Sequence, residues 1–330
     1  MKYLSLFSGI ESASAAWEPL GWECVGVSEI LSHQNQFLKS KYPSVPNLGD
    51  VTKITEEDVL KLGKIDIVVF GSPCQGLSIA GNRGGFNNEA SSTSTNSTLF
   101  FAGMQIARYS KARFILWENV PGALTCTLGK DFARVVAEMA GIDNVEAPCT
   151  GWGTEGAALG NNGLLEWSVL NAAFFGVAQR RRRLFALLDT GDWRSRKPVL
   201  LESEGERGNT TSCKSKRQDY SKEIRECPSF GIPGNWIGRS PKNGGNATTP
   251  MFDIAPNLTR TDHHAVVYYD NNNIPHVRKF TVKECLRLQG FSDDYLDCMN
   301  ASDDKKIEII GRSMAVPVMN WIGRRLSSVI

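Results

Sequence analysis

The chain has 330 residues, with 37 lysines and arginines against 35 aspartates and glutamates, and 41% of its residues are hydrophobic. This length and apolar content suit one large domain plus a smaller one, and they exclude a disordered polyelectrolyte. A formal net charge of +2 gives no basic field over the whole surface, so any nucleic-acid contact must come from local patches.

Membrane, secretory and metal-binding signals are missing from the sequence. No apolar run approaches the roughly 18 residues of a membrane-spanning helix. The N-terminal segment turns polar at Ser8, too early for a signal peptide. The eight cysteines show no CxxC spacing, which argues against a zinc site or a disulfide framework. We therefore expect a soluble cytoplasmic protein with reduced thiols, no metal and no membrane partner.

Short apolar runs alternate with helical stretches through the first half of the chain. The predicted strands, each bounded by polar or turn residues, are Tyr3–Phe7, Cys24–Val27, Asp66–Phe70, Arg113–Trp117 and, later, Leu184–Leu188. The predicted helices are Ser12–Leu20, Ile30–Tyr42, Thr55–Leu62 and Leu99–Tyr109. This alternation predicts an α/β domain with a doubly wound, mostly parallel sheet, whose ligands bind at the carboxyl ends of the strands.

Two polar, glycine-rich stretches interrupt this pattern. Gly81–Ser97 is either a surface loop or a mobile lid, and Gly151–Gly163 is expected to be a plain loop. Residues 189–277 carry Pro, Gly and Asn clusters without helical periodicity, which predicts a small inserted domain with short strands. Helical periodicity returns in residues 278–330. The predicted helices there are Val282–Leu288, Lys305–Ile310 and Met314–Ile330.

A first candidate site follows the first strand, where Leu6–Ser12 runs through a glycine turn into a helix. Glycine lets the backbone approach a ligand, and a helix N-terminus offers free N–H groups. Glu29, at the end of the second strand, could accept hydrogen bonds from ribose hydroxyls, and Asp50 could hold an adenine amine. Taken alone, each acid is better interpreted as a helix cap or a solvated turn residue. The full GxGxxG fingerprint is absent, which disfavours a nicotinamide oxidoreductase.

Two chemically useful side chains follow the next strands. Cys74 lies in Gly71–Ser78, directly after the third strand, and this position favours a nucleophile over an ordinary buried cysteine. Glu118 emerges from the apolar strand before it, in Glu-Asn-Val-Pro. A carboxyl group in that place can act as an acid, or it can simply cap the next segment.

Four consecutive arginines, Arg180–Arg183, lead directly into the strand Leu184–Leu188. Such a run is usually a solvated face. Because alternate side chains of a strand point to opposite faces, we expect Arg181 and Arg183 to face the same way. Together they could hold a phosphate or the polar edge of a base.

Taken together, these motifs resemble the DNA (cytosine-5) methyltransferases, a family of bacterial modification enzymes and their phage counterparts. The resemblance follows the chain through LFSGIE, GSPCQGLSIAG, NSTLFF, ENV, VLNAAFFGVAQRRRR, RKFTVKECLRLQGF and GRSMAVPV. It covers most of residues 3–188 and 278–323. Each motif alone is weak, but PCQ, ENV and QRRRR in this order and spacing are very specific.

The resemblance implies roles for the candidate catalytic residues. Cys74 matches the nucleophile that adds to C6 of cytosine, and Glu118 matches the acid that contacts N3. Arg181 and Arg183 match arginines that hold the flipped base and the adjoining site. S-adenosyl-L-methionine then supplies the methyl group to C5. Double-stranded DNA is the implied partner, and its target base must leave the helix to react.

The same resemblance assigns the cofactor pocket and the domains. The cofactor positions are Phe7, Gly9, Glu29, Ile30, Asp50, Pro73, Leu99 and Ser313. Residues 1–188 become a Rossmann-like catalytic and cofactor-binding domain, 189–277 a target-recognition domain, and 278–330 a helical return to the catalytic domain. Gly81–Ser97 takes the place of the loop that closes over DNA.

Two positions depart from the family pattern. The glycine pair usual after the first family glycine is replaced by Glu11 and Ser12. Near the C-terminus, Arg312 follows Gly311 where the family has asparagine. An arginine there could weaken cofactor binding or change how the domains pack, so its effect on activity is open.

Two further hypotheses remain beside an active DNA methyltransferase of a bacterial or phage-infected cell. One is a DNA-binding relative that has lost catalysis and acts by occupying its site, which Arg312 motivates. The other is a tRNA cytosine-5 methyltransferase, which the long polar inserted domain disfavours. The sequence leaves open the recognition sequence, any cognate restriction endonuclease and the oligomeric state. One active site per chain makes a monomer the simplest expectation.

Overall fold

A computed structural model describes residues 1–73, 96–201, 230–233, 251–252, 254–258, 264–270 and 272–330. The chain divides into two compact units. The first comprises Met1–Leu170, Arg182–Leu201 and Met319–Ile330, and the second comprises Asn171–Arg181 and Glu202–Val318. The segment 278–330 is therefore shared: its residues up to Val318 belong to the second unit and the rest to the first.

A seven-stranded sheet forms the centre of the first unit, in the order β2-β1-β3-β4-β7-β6-β5. Its strands are β1 (Lys2–Leu6), β2 (Glu23–Ser28), β3 (Ile67–Phe70), β4 (Phe114–Asn119), β5 (Glu155–Gly160), β6 (Gly163–Asn171) and β7 (Arg182–Asp189). The strands β2, β1, β3 and β4 pair in parallel, whereas β7 joins β4 and β5 joins β6 antiparallel. The predicted Rossmann-like α/β fold is confirmed.

Eight α-helices are present in the described residues. They are α1 (Ser12–Trp17), α2 (Ser32–Lys41), α3 (Glu56–Leu60), α4 (Asn96–Ser110), α5 (Lys130–Ala140), α6 (Val282–Gln289), α7 (Asp303–Arg312) and α8 (Val316–Ser327). Seven of these overlap a predicted helix, and α5 is the one that sequence analysis missed. The predicted lid Gly81–Ser97 lies outside the described residues, apart from its last two positions, which begin α4.

Residues of the central strands bury against helices on both faces of the sheet. On one face Phe70 and Trp117 join a large apolar cluster with Phe100 of α4 and Phe132 of α5. The Phe100 and Trp117 rings meet edge to face, with centroids 5.3 Å apart.

The opposite face packs against α1 and α8. There the Tyr3 ring lies 5.1 Å from the ring of Trp17, and the Trp17 indole N–H donates to the Met319 carbonyl over 2.8 Å. Helices on both faces leave the sheet's ends as the places where a ligand can reach the strands.

The predicted loop Gly151–Gly163 contains a strand, β5, and this expectation was wrong. Glycine is used there for packing, because a Cβ atom on Gly156 would come within 2.2 Å of the Trp167 ring. The Trp167 ring of β6 therefore packs closely against Gly156 of β5. A glycine-rich stretch resembles a loop in sequence when its glycines make room for a neighbouring strand's aromatic ring.

The second unit contains a small four-stranded antiparallel sheet in the order β11-β10-β8-β9. These strands are β8 (Phe230–Ile232), β9 (Met251–Phe252), β10 (Ala265–Tyr269) and β11 (Pro275–Lys279). Short strands were expected in this region. The helices α6 and α7 belong to the same unit. No helix among the described residues is long and apolar enough to cross a membrane.

A buried ion-pair network closes the end of the sheet opposite the carboxyl end of β4. Asp189 accepts hydrogen bonds from Arg113 Nε over 2.9 Å and from Arg196 Nε over 2.6 Å. Arg196 also reaches Glu166 over 2.6 Å, and the second oxygen of Glu166 accepts from the amides of residues 199 and 200. Burial alone would raise the pKa of Asp189, but hydrogen bonds from the two arginines lower it.

We expect Arg196→Met to reduce the free energy of unfolding by about 3 kcal/mol or more, because it leaves Glu166 and Asp189 charged and buried without their shared partner. Urea unfolding followed by circular dichroism measures the loss. The matched control is Arg194→Met, two residues away and exposed, which should change stability by no more than about 0.5 kcal/mol. Equal stability of the two variants would contradict a stabilising role for the network.

Candidate active site

The connections that leave the carboxyl ends of the parallel strands carry most of the predicted site residues. Phe7 and Gly9 follow β1, Glu29 follows β2, Ser72 and Pro73 follow β3, and Glu118 lies near the end of β4. Because parallel strands all end at one edge of a sheet, these residues share that edge of the first unit.

The connection after β1 makes a tight left-handed turn. Phe7, Gly9 and Glu11 have φ values of 55°, 58° and 59°, a region that suits glycine and strains the other two residues. Nothing lies within 4 Å of the position a Gly9 Cβ would occupy. The turn therefore exposes a stretch of bare backbone beside open space, as a nucleotide-like ligand requires.

Glu29 is held by backbone amides from two directions. Its Oε2 atom accepts from Gly9 N over 2.9 Å, and Oε1 accepts from Ile30 N and Leu31 N over 2.8 and 2.9 Å. A carboxylate oxygen can accept a second hydrogen bond, so Oε2 has the capacity to bind a donor such as a ribose hydroxyl. Beside it, the Ile30 side chain is 63% exposed, which is high for an isoleucine and leaves an apolar surface for a flat ring.

Asn47 fixes the relative position of Glu29 and the loop that carries Asp50. Its Oδ1 atom accepts from Glu29 N and Gly49 N over 3.1 and 3.0 Å, and its Nδ2 atom donates to the Glu29 carbonyl over 3.2 Å. Asp50 caps its own turn through Oδ1, which accepts from the Thr52 amide and hydroxyl. These two hydrogen bonds lower the pKa of Asp50 and keep it ionised.

A buried carboxyl group lies directly beneath the β1 turn. Glu11 is 1% exposed and accepts from Ser14 N and Ser14 Oγ, both over 3.2 Å. The same Ser14 hydroxyl lies 2.7 Å from the Tyr3 hydroxyl. Burial raises the pKa of Glu11 to about 7, and the hydrogen bonds from Ser5 and Ser14 offset only part of this effect.

The residues that precede the predicted nucleophile are anchored to β4. Trp117 Nε1 donates to Ser72 Oγ over 3.0 Å, and Asn119 Nδ2 donates to the Ser72 carbonyl over 3.3 Å. Both β4 side chains are buried. Pro73 is half-buried and is the last described residue here, so Cys74 itself lies outside the described residues.

Glu118 and Arg183 form a direct ion pair. Glu118 Oε1 lies 3.0 Å from Arg183 Nε, and the two side chains are 13% and 15% exposed. The pair exists because Glu118 of β4 stands opposite Phe185 of the antiparallel strand β7, which brings Arg183 to the carboxyl end of β4. A half-buried carboxyl group and guanidinium thus face one small region at the ligand-binding edge.

Arg181 lies in the second unit and makes a different set of contacts. It is 2% exposed, and its Nη atoms donate to the carbonyls of Leu258, Gly311 and Ser313 and to Asn257 Oδ1. The role of Arg181 beside Arg183 at a ligand stays a prediction. β7 begins only at Arg182, so strand alternation does not extend back to Arg181.

Ser313 and Arg312 lie at the end of α7. Ser313 is buried, its hydroxyl donates to the Ile310 carbonyl over 2.7 Å, and its own carbonyl accepts from Arg181. Arg312 is exposed and pairs with Glu308 one helical turn earlier. The unusual arginine is therefore accommodated within its own helix.

Three residues that position the site, Asn47, Trp117 and Asn119, were not predicted from the sequence to do so. Their hydrogen bonds join segments far apart in the chain, so no local sequence pattern predicts these contacts. Among the three, only Asn119 lies in a recognisable motif, Glu-Asn-Val, beside Glu118 at the end of a strand. Leu99, a predicted cofactor residue, lies on α4, where it is half-buried and packs against the apolar cluster.

Known proteins resemble this chain over its whole length. The sequence profile of the family described as C-5 cytosine-specific DNA methylase matches residues 1–229 and 200–328. A "DNA N-6-adenine-methyltransferase" of Escherichia phage P1 is 26% identical over 99% of this chain, which spans 61% of the phage protein's length. The type II methyltransferase M.HpaII of Haemophilus parainfluenzae is 26% identical over 98% of this chain and 88% of its own length.

Solved structures share the fold. The crystal structure of the S. pombe Dnmt2 methyltransferase superimposes with a TM-score of 0.60 at 17% identity, covering 99% of both chains. At this identity the likeness supports the architecture alone.

We expect the free energy of unfolding of the wild-type protein, relative to that of the variant Glu11→Gln, to decrease as the pH rises from about 5 to about 8. The folded state raises the pKa of Glu11 from 4.5 to about 7, so its contribution is present below about pH 4.5 and is lost as the pH rises through about 7. The full difference is on the order of 3 kcal/mol.

Urea unfolding of both proteins across this range tests the prediction. The variant Glu56→Gln, at an exposed position of α3, controls for the loss of a surface negative charge. A constant stability difference between wild type and Glu11→Gln at every pH would show that Glu11 does not titrate in this range.

Proposed function

The chain belongs to the C-5 cytosine-specific DNA methylase family, and we propose that it transfers a methyl group to C5 of a cytosine within a specific sequence of duplex DNA. The observation that carries this proposal is the Glu118–Arg183 ion pair at the carboxyl ends of the strands. It lies on the strand whose Trp117 and Asn119 anchor Ser72, two residues before Cys74.

Each residue has a distinct task in the proposed reaction. The Cys74 thiolate adds to C6 of the cytosine while Glu118 supplies a proton or hydrogen bond at N3, so that electron density builds at C5. The activated C5 then accepts the methyl group. The C5 proton then passes to a base, the C5–C6 double bond re-forms as the Cys74 sulfur leaves as thiolate, and N3 returns its proton to Glu118. Covalent addition is needed because C5 of cytosine is otherwise a poor nucleophile.

Arg183 serves this reaction by position and charge. Its guanidinium holds the Glu118 carboxyl group in one orientation and leaves further N–H donors for the oxygen of the base. Arg181, by contrast, is committed to backbone carbonyls of the second unit, and we assign it a role in holding that unit's fold.

The cofactor is S-adenosylmethionine, and the residues after β1 and β2 fit it. The open backbone at Gly9 suits the amino-acid end, the remaining lone pair of Glu29 Oε2 suits a ribose hydroxyl, and exposed Ile30 suits the adenine ring. When bound, it supplies an electrophilic methyl group on a sulfonium. Phe7, Asp50, Pro73 and Leu99 remain proposed neighbours of this pocket, and Ser313 is proposed with them from its motif alone.

The target base must leave the duplex to reach this site. We propose that residues 189–277, most of which belong to the second unit, read the DNA sequence. We also propose that the enzyme acts in the cytoplasm of a bacterial or phage-infected cell and works as a monomer. Three other outcomes remain to be distinguished by experiment: methylation of adenine, methylation of tRNA, and DNA occupancy without catalysis.

We expect unmethylated plasmid DNA incubated with the protein and S-adenosylmethionine to gain 5-methylcytosine, and Cys74→Ala to abolish this gain. Mass spectrometry of the digested nucleosides separates 5-methylcytosine from N6-methyladenine, and bisulfite sequencing reveals the target sequence. Cys149→Ala, at an exposed cysteine, is the matched control and should retain activity. Methylation that survives Cys74→Ala would refute the mechanism, and methylation of tRNA alone would refute the substrate.

We expect Glu29→Gln to weaken the binding of S-adenosylmethionine by about tenfold or more, because hydrogen bonds to a charged acceptor contribute about 1.5–3 kcal/mol. The glutamine side chain also has an NH2 group in place of one carboxylate oxygen, so at least one of the three backbone N–H groups that donate to Glu29 would face another donor. Isothermal calorimetry measures the affinity. Glu23→Gln, at the exposed start of β2, is the control, and equal affinities of the two variants would place the cofactor elsewhere.

A further inference from the structure

The connection between β4 and α5 contains two strained residues that sequence gave no reason to expect. Thr127 has φ 50° and ψ 43°, and Leu128 has φ 57° and ψ 33°. Both lie in the left-handed region, which glycine and asparagine enter readily and which costs leucine about 1–2 kcal/mol. The Leu128 side chain is 88% exposed, more than any other large hydrophobic side chain in the described part of the chain.

Contacts on both sides hold this turn in place. The Thr127 hydroxyl donates to Asp131 Oδ2 over 2.7 Å. The Trp152 indole N–H donates to the Gly129 carbonyl over 2.8 Å, and the indole packs against the Gly129 backbone. The turn is thus a braced structure that presents Leu128 outward.

Stability of the folded chain does not explain a leucine at this place. An 88% exposed side chain gains almost nothing from burial, and asparagine or glycine would relieve the backbone strain. Strained, exposed residues that persist in this way tend to lie where the protein meets a ligand.

The position of the turn indicates which ligand. It leaves the carboxyl end of β4, the strand that carries Glu118, so a duplex that delivers its base to Glu118 must approach this edge of the first unit. The exposed charges of the chain between Asn119 and Ala137 are both positive, Lys130 and Arg134, since Asp131 is buried. This charge suits a phosphate backbone.

We propose that Leu128 is an apolar wedge that inserts against the base stack of the duplex when the target cytosine is extruded, while Lys130 contacts a neighbouring phosphate. Aliphatic side chains unstack base steps in this way in other DNA-binding proteins. The inference rests on the proposed function and adds to it a residue that lowers the cost of base extrusion.

The test compares Leu128→Asn with wild type in methyl transfer to a duplex that contains the target sequence found by bisulfite sequencing. Asparagine tolerates the left-handed turn, so we expect an unchanged or higher melting temperature together with a fall in kcat/KM of about tenfold. Leu128→Met, which keeps an apolar side chain of similar reach, should retain most of the activity. A duplex whose target cytosine is mismatched should restore much of the activity of Leu128→Asn, because that base is already unpaired.

Leu60→Asn is the matched control, since Leu60 is also an exposed leucine but belongs to α3, which leads to the amino end of β3. It should leave methyl transfer unchanged. Wild-type activity in Leu128→Asn, or an equal loss on paired and mismatched targets, would overturn the wedge while leaving the proposed function intact. A wild-type protein that does not methylate DNA would overturn both.

Discussion

The site depends on one constraint of topology, the antiparallel pairing of β7 with β4. In this register Asn119 stands opposite Leu184, so the start of β7 meets the carboxyl end of β4. A parallel β7 would carry Arg183 to the opposite end of the sheet, far from Glu118. The reversal of a single strand thus brings a carboxyl group and a guanidinium within 3.0 Å, although 64 residues separate them in the chain.

The elements that could be predicted from the sequence are those whose signal is local. Buried strands are continuous apolar runs, so the parallel strands β1 to β4 and the antiparallel strand β7 were found to within a few residues. β5 was missed because its glycines accommodate Trp167 from the next strand. α5 was missed because it begins beyond an irregular turn with left-handed residues, even though Phe132, Val135 and Met139 repeat at helical spacing on its buried face.

The sequence was sufficient to propose which residue types form the candidate site, but it predicted only part of how these residues are arranged. The structure places Glu29 and Glu118 at the carboxyl ends of β2 and β4, as the strand pattern predicted. The argument from strand alternation does not reach Arg181, because β7 begins at Arg182, two residues before the predicted start at Leu184. The anchors Asn47 and Trp117 act through contacts with distant segments, and such contacts exist only once the sheet order is known.

Backbone strain in the described chain is concentrated at the same edge. Of seven non-glycine residues with positive φ, Phe7 and Glu11 follow β1, and Thr127 and Leu128 follow β4. Each costs on the order of 1 kcal/mol, and the packed core on both faces of the sheet supplies the stability that offsets this cost. The two connections differ in what the strain achieves. After β1, the strained turn leaves the Gly9 backbone beside open space, where a small ligand can approach. After β4, the strained turn is held by hydrogen bonds and exposes the Leu128 side chain. The rigid sheet therefore sets where chemistry occurs, and the strained connections determine what the chain presents there.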